Sequence, residues 1–236
     1  MDYKMNITKY GELPSTISIR IREPGSAFTH GMALLLSLIG MGPLLMRAQL
    51  YGSAKTFVSM LVFILSMCLL YGASTTYHSV VAGEKITRIL RKMDHVSISI
   101  LIAGTYTPVC VLALPERTGG RLLIAVWAFA LAGVLLKLFW ISCPKWISSV
   151  LYLGMGWLCL AAFPSLITNL PSGAFWWLLL GGVLYSAGAV IYAMKLAVFN
   201  HIHVYFGSHE IFHLFIMAGS FCHFVVMYQY LAFFSA

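Results

Sequence analysis

Two histidines four residues apart enclose a glutamate in the segment HEIFH, which begins at His209. On a helix, His209 and His213 share one face and can bind one zinc ion, and in zinc metalloproteases the enclosed glutamate is the general base. The longer form of this motif is absent, because Ile216 and Gly219 stand where it needs a glycine and a third histidine. No aspartate or glutamate follows Glu210 to supply a distant ligand. As a protease, the site is incomplete.

Further polar residues stand in apolar sequence. Ser74 and His78 are four residues apart in STTYH, and Asp94 begins a later apolar segment. An ionisable group within a membrane span is costly unless it meets a partner, a cavity or a metal. His78 and the two histidines of HEIFH would give three imidazoles from two helices, the ligand set of a catalytic zinc with an open position for water. Asp94 would hold that water or act as the base, and Ser74 would donate a hydrogen bond to Asp94, to the water or to a developing oxyanion.

A simpler interpretation stays open for these residues. Histidines at a membrane interface can cap helices and contact head groups, and Asp94 can cap the third helix because acidic residues suit helix N-termini. Three histidines and an aspartate at one end of the spans favour a metal site. His201 and His203, in the sixth loop, lie on the same side. His223 lies two to three turns deeper than His213 and is predicted to be a hydrogen-bonded core residue.

The rest of the chain has the composition of a membrane protein. Hydrophobic residues make up 60% of its 236 residues, and charged residues only 9%. Apolar windows of about twenty residues, enough to cross a hydrocarbon core of roughly 30 Å, recur along the chain. We predict an all-α membrane protein, a seven-transmembrane helix bundle in which residues 27–236 form one domain after a polar segment, 1–26. The predicted spans are 27–46, 56–78, 95–114, 121–140, 146–167, 174–194 and 210–233.

Other features of the spans have structural explanations. The five cysteines form no C-x-x-C pair and are predicted to be free thiols. Pro108, at the end of GTYTP, predicts a kinked helix whose freed carbonyl is satisfied locally. Gly182 and Ser186 predict close helix packing. A cluster of positive charges is predicted to face lipid, and its members are Lys85, Arg88, Arg91 and Lys92.

Basic residues indicate how the chain crosses the membrane. Seven spans place the N-terminal segment and the second, fourth and sixth loops on one side, which holds eleven of the fifteen basic residues. The positive-inside rule then puts the N-terminus in the cytoplasm. The net charge of +8 therefore reflects topology, and we expect no nucleic-acid partner. The eleven are Lys4, Lys9, Arg20, Arg22, Lys85, Arg88, Arg91, Lys92, Lys137, Lys145 and Lys195, and the other four are Arg47, Lys55, Arg117 and Arg121.

These residues resemble the progestin and adipoQ receptor family, specifically its bacterial haemolysin III branch, over nearly the whole chain. The resemblance rests on S-x-x-x-H ending the second span, aspartate heading the third and H-x-x-x-H opening the seventh, together with GTYTP, MGW and HEIFHLF followed by GSFCHF. It implies a zinc ion near the cytoplasmic face, bound by His78, His209 and His213. Asp94 would reach the metal directly or through water, and Ser74 would support it.

The resemblance also bears on two glutamates. Glu210 would be neither ligand nor base, so the letters of the protease motif would arise by coincidence. Before the first span, the family often has a glutamate, an asparagine three residues later and a histidine four residues after that. Here Glu23 and His30 keep the outer places, but Ser26 stands at the middle one. The role of this element is left open.

By the same resemblance, the chain is expected in a bacterial inner membrane. Our leading hypothesis is a zinc-dependent hydrolase that cleaves a membrane lipid at an amide bond of ceramide type, because related membrane families with these ligands cleave lipid amides. One alternative is a cytolysin or pore-forming protein, although the polar groups gather at one end and do not line a whole face. Another is a receptor or sensor of membrane state with structural zinc.

Overall fold

The structure is a computed structural model that describes residues 21–194 and 206–234. Those residues include seven helical spans long and apolar enough to cross a membrane, so the predicted all-α seven-span bundle is confirmed. The first four spans are α1 (Pro24–Tyr51), α2 (Ala54–Ser79), α3 (Glu84–Pro108) and α4 (Glu116–Phe139). The fifth joins α5 (Lys145–Trp157) to α6 (Phe163–Asn169), and the last two are α7 (Ser172–Met194) and α8 (Ser208–Gln229).

Helices that follow one another pack together, and α1 also packs against α8. Phe63 and Tyr71 of α2 and Met227 of α8 are among the largest fully buried side chains. Because lipid tails are as apolar as these residues, close packing and internal hydrogen bonds must hold the helices together. One such bond joins α2 to α8, where Tyr71 Oη donates to Ser220 Oγ at 2.6 Å.

The third helix is longer than its predicted span. It begins at Glu84, with Gly83 as N-cap. The charged residues before Asp94 form an amphipathic segment that extends the apolar helix towards its N-terminus. Asp94 therefore lies about three turns inside α3, and the interpretation of this residue as a helix cap is wrong. Three residues of the predicted positive cluster, Lys85, Arg88 and Arg91, are exposed on these first turns.

Two spans contain irregular turns. Pro108 ends the regular part of α3, and a π-helical turn follows at Val109–Ala113, since proline removes one backbone hydrogen bond. The hydroxyls of Thr105 and Thr107 donate to carbonyls one turn back, at 2.8 and 2.9 Å. The fifth span was predicted as one helix, but a 3₁₀ turn at Leu158–Ala162 divides it just before Pro164.

The structure confirms some of the other predictions about the spans and contradicts others. All five cysteines are free thiols, as predicted. Gly182 does not mediate close packing, because a methyl group there would meet no atom within 4 Å. Ser186 does join helices, since it accepts a hydrogen bond from Trp157 Nε1 at 3.0 Å. Lys137 is not a loop charge: it lies in the last turn of α4, buried against Ser148.

Gly104 and Gly120 provide a test of helix packing. A methyl group at Gly104 would overlap Ser66 of α2, whereas one at Gly120 would meet no atom within 4 Å. We expect Gly104→Ala to destabilise the protein by about 1–3 kcal/mol through overpacking. Gly120→Ala should be neutral or stabilise it by up to about 1 kcal/mol through helix propensity. Thermal unfolding in detergent measures both, and equal midpoints would contradict the packing of α2 on α3.

Candidate metal centre

Three histidines converge where α2 ends and α8 begins. His78 lies in the last turn of α2, and His209 and His213 lie in the first two turns of α8. One ring nitrogen from each of the three lies within 4.8 Å of the others. His78 and His213 are each 2% exposed. Imidazoles so far from water need hydrogen-bond partners or a metal.

One separation between the ring nitrogens matches that of two ligands of a tetrahedral ion. His209 Nε2 and His78 Nε2 are 3.5 Å apart, longer than a normal hydrogen bond. Two nitrogens bound to a tetrahedral zinc at 2.0–2.1 Å stand about 3.4 Å apart. The separation therefore matches two zinc ligands better than two hydrogen-bonded rings.

Glu23 fixes the tautomer of His78. His78 Nδ1 contacts the Glu23 carboxylate, and an ionised carboxylate can only accept a hydrogen bond. Partial burial acts to raise the pKa of Glu23, but its hydrogen bond with His78 and the neighbouring charge of Arg22 outweigh burial and lower that pKa below its ordinary value. Nδ1 therefore carries the proton, and Nε2 presents its lone pair to the cluster. A carboxylate behind a ligand histidine is typical of zinc sites.

Thr29 fixes the tautomer of His213 in the same way. The Thr29 hydroxyl donates to the backbone carbonyls of Gly25 and Ser26, at 3.1 and 3.0 Å. Oγ1 also lies 3.1 Å from His213 Nδ1. With its proton shared between the two carbonyls, Oγ1 is an acceptor for that nitrogen, and this pairing assigns the unprotonated position to His213 Nε2. The assignment matches the tautomer that a metal ligand requires.

Ser74 contacts a histidine that sequence reasoning left without a role. His30 Nδ1 lies 2.7 Å from Ser74 Oγ. The His30 ring also stacks on His213 with centroids 3.5 Å apart. His30 Nε2 is buried without a hydrogen-bond partner among the described residues. His30 therefore supports both Ser74 and His213 from α1.

Asp94 lies beside the three histidines but outside their ligand set. Its carboxylate is 3.3 Å from His95 Nδ1, and it interacts with Ser74 and His78. Among the residues that the structure describes, the group of mutually close ligand atoms contains only the three histidines. This placement fits a carboxylate that reaches a metal through water more closely than one that binds directly.

Glu210, the glutamate of HEIFH, has a different partner. Its Oε2 accepts from the backbone N–H of Gly207 at 2.8 Å and so caps the start of α8. Its other oxygen accepts from the hydroxyl of Ser26 on α1. Ser26, which stands at the place where asparagine was expected, therefore links α1 to α8. Glu210 is outside the histidine ligand set.

A cavity of about 180 Å³ extends from the cluster into the bundle. Ser74, Asp94, His209 and His213 line one part of it. Apolar residues dominate the remainder, among them Ile98, Leu101, Leu122, Leu166, Phe175 and Leu178. This lining suits an apolar group that carries a polar group at the histidines.

The sequence identified the three histidines, Ser74 and Asp94 as candidates, and the structure brings these five residues to one end of the bundle. Nothing in the sequence indicated Thr29, because a single threonine inside an apolar helix has no evident role until its neighbour in space is known. Glu23 and His30 were noticed only as parts of a pattern without a role. His201 and His203 lie outside the described residues, as do Lys4, Lys9, Arg20 and Lys195 from the positive side.

Comparison with known proteins gives one consistent result. A family model described as haemolysin-III related matches residues 19–224. The chain is 40% identical over 198 residues to a protein named hemolysin-3 homolog from Bacillus subtilis (strain 168), covering 84% of this chain and 89% of that protein. It is also 36% identical over 198 residues to hemolysin-3 of Bacillus cereus, covering 84% of this chain and 86% of that protein.

Glu23 and Glu210 form a matched pair for testing the metal centre. We expect Glu23→Gln to weaken zinc binding about 10- to 100-fold, because it replaces the carboxylate that orients His78 and raises its basicity with a neutral amide. Glu210→Gln should keep wild-type affinity, because a glutamine can still cap α8 and does not contact the ligand atoms. Competition with a chromogenic zinc chelator measures both constants. Equal affinities in the two variants would contradict the assigned tautomer of His78.

Proposed function

The chain belongs to the haemolysin-III-related family, and from its histidine cluster we propose that it is a zinc-dependent hydrolase of membrane lipids. The observation that carries this proposal is the convergence of one ring nitrogen from each of His78, His209 and His213 beside an apolar cavity that His209 and His213 line. Zinc would be held by His78, His209 and His213. When bound by three histidines with an open position, zinc lowers the pKa of a bound water to about 7 and polarises a carbonyl group.

Asp94 and Ser74 would carry the proton transfer and orientation. Asp94 faces the cavity near the histidines, so its carboxylate would accept a proton from the attacking water and return it to the leaving nitrogen. Ser74 would donate a hydrogen bond to Asp94 or to the carbonyl oxygen of the substrate. In the balanced reaction the amide C–N bond breaks, hydroxide adds to the acyl carbon, and the amine takes up the remaining hydrogen.

We assign the substrate to the lipid amides, with ceramide-type amides as the first candidates. The apolar lining of the cavity supports an acyl chain, and the polar residues at the histidines support a scissile group there. Exposed apolar residues cover the spans, so a lipid substrate would come to the cavity from the bilayer. The choice of an amide over an ester rests on the resemblance to membrane families that cleave lipid amides.

The names of the two Bacillus relatives support a second candidate function, lysis of a target membrane. A lytic protein need not hydrolyse anything, so the metal would then stabilise the fold by tying α2 to α8. The two candidates differ in whether the cavity residues near the histidines matter for the measured activity.

Turnover of labelled lipid amides tests the hydrolase proposal. Purified protein with zinc should release fatty acid from ceramides or bacterial lipid amides. Asp94→Asn should lower that rate by a factor of about 10² to 10⁴, because it removes the proton acceptor. Glu84→Gln is the matched control on the same helix, since Glu84 is exposed in the first turn of α3.

Three other results would contradict the hydrolase proposal or the role of Asp94 in it. Full turnover in Asp94→Asn would remove Asp94 from the mechanism. Zinc binding without turnover of any lipid amide would favour a structural metal in a receptor or sensor. Haemoglobin release from erythrocytes by wild type and Asp94→Asn alike, again without turnover, would favour the lytic candidate.

We further propose that the site faces the cytoplasm of a bacterial cell and lies just beneath the inner surface of its inner membrane. Arg22, close to the site, stacks on Tyr77 at 3.8 Å. Lys92 and Lys145 also lie at the helix ends near the histidines, whereas Arg47 and Lys55 flank the opposite ends of α1 and α2. The excess of positive charge beside the site supports a cytoplasmic position.

Membrane vesicles test this orientation. A membrane-impermeant chelator should strip zinc from inside-out vesicles faster than from right-side-out vesicles, because the site would open to the cytoplasm. The metal content of the washed vesicles is the measurement, and vesicles permeabilised with detergent are the control. Faster loss from right-side-out vesicles would invert the assigned topology.

A further inference from the structure

The first turns of α3 present an apolar face to the outside of the bundle. Ile86, Ile89, Leu90 and Met93 follow the i, i+3, i+4, i+7 spacing of one helical face. Three of them, Ile86, Ile89 and Met93, are at least half exposed. An open apolar face beside charged residues is the pattern of a helix segment that lies against the membrane interface.

Basic side chains accompany this apolar face. Residues 84–93 contain four basic residues and one acidic residue. Lys85, Arg88 and Arg91 are exposed, whereas Lys92 donates a hydrogen bond to a backbone carbonyl of α4. Exposed positive charges beside a lipid-facing surface attract anionic head groups. The start of α3 therefore combines a surface for lipid chains with charges for their head groups.

A groove of about 260 Å³ lies between α2 and α3, and we call it the outer groove. Gly72 and Ala73 line it from α2, and Leu90 and Met93 line it from α3. Two of its residues, Leu69 and Met93, are 43% and 50% exposed, so it opens to the surface of the protein. The outer groove shares no lining residue with the cavity beside the histidines.

The lining of the outer groove suits hydrocarbon. The hydroxyl of Thr76, which also lines it, donates to the Gly72 carbonyl at 2.7 Å. That hydroxyl therefore needs no polar ligand. The small side chains of Gly72 and Ala73 leave the space that a larger residue would fill.

The basic residues lie at the depth that a lipid phosphate requires. Lys85 and Arg88 precede Leu90 by five and two residues, which places them about 7.5 and about 3 Å nearer to the start of α3. A hydrocarbon core of about 30 Å in a bilayer of roughly 40–45 Å leaves a head-group layer of roughly 5–8 Å on each side. Long basic side chains reach such a layer while their stems cover apolar surface.

We propose that the outer groove binds an acyl chain of an anionic phospholipid whose phosphate contacts Lys85 and Arg88. A zwitterionic lipid of the same chain length binds less tightly, because its own ammonium group offsets the attraction between the phosphate and the basic residues. This site is separate from the metal centre and requires neither zinc nor turnover. Because the lipid binds the folded protein, it makes stability depend on the composition of the membrane.

Lipid binding to the delipidated protein in a neutral detergent tests the site. The probes are dioleoyl phosphatidylglycerol and dioleoyl phosphatidylcholine, which have the same chains, and native mass spectrometry gives the dissociation constants. Phosphatidylglycerol should bind at least about fivefold more tightly, since each basic residue near a membrane surface contributes about that factor. The double variant Lys85→Gln/Arg88→Gln should lose most of this preference.

Arg117→Gln/Arg121→Gln is the matched control and should keep the preference. Like α3, α4 has a glutamate in its first turn, and Arg117 and Arg121 are exposed near its start. They line neither the cavity nor the outer groove. Loss of the preference in this control would mean that net charge alone attracts the lipid, and would overturn the assignment.

Two variants test the groove itself, because they fill it from opposite walls and keep the basic residues. Ala73→Leu and Leu90→Trp should each weaken the binding of both lipids, and thermal unfolding without lipid identifies the variants that remain folded. Unchanged binding in a folded variant would overturn the outer groove as the chain site. Equal affinities of wild type for the two lipids, or full preference in Lys85→Gln/Arg88→Gln, would overturn the head-group contact.

Discussion

Buried imidazoles in an apolar bundle impose the constraint on which the site depends. Each ring that leaves water must have a partner for its polar nitrogens. The start of α1 supplies these partners: Glu23 contacts His78, Thr29 contacts His213, and His30 contacts Ser74. The first span therefore acts as the outer shell of a site whose ligands come from the second and seventh spans. Ser26, bonded to Glu210, attaches the same segment to the start of α8.

Close packing and open space alternate along the helices that surround the cavity. A methyl group at Gly104 of α3 would overlap Ser66 of α2, and one at Gly181 of α7 would lie 2.8 Å from His223 Nε2. The next residue of α7, Gly182, faces open space and lines the cavity. Close contacts between helices hold side chains in place, while the open face of α7 leaves volume beside the histidines.

The fold was predictable because an apolar stretch of about twenty residues is a strong signal for a membrane span, and seven such stretches appear in the sequence. Boundaries were less predictable: the charged start of α3 reads as a loop, yet it continues the helix back to Glu84. The three histidines were predictable because ionisable residues are rare inside spans. Their supports were not, because Thr29 and His30 become meaningful only when α1 packs against α2 and α8. His223 illustrates the same limit, since a deep histidine is usually paired, whereas its Nδ1 has no hydrogen-bond partner among the residues that the structure describes.

The position of the carboxylates decides how the letters HEIFH should be interpreted. In a zinc metalloprotease the glutamate between the histidines must face the reacting water. Here Glu210 is occupied by the cap of α8 and by Ser26. Asp94, from a different helix, lies at the cavity wall beside His209 and His213. A carboxylate engaged in two structural hydrogen bonds is poorly placed to exchange protons with a substrate, because each transfer would break a helix cap. The proposed mechanism therefore assigns the base to Asp94 and gives Glu210 of HEIFH a structural role at the start of α8.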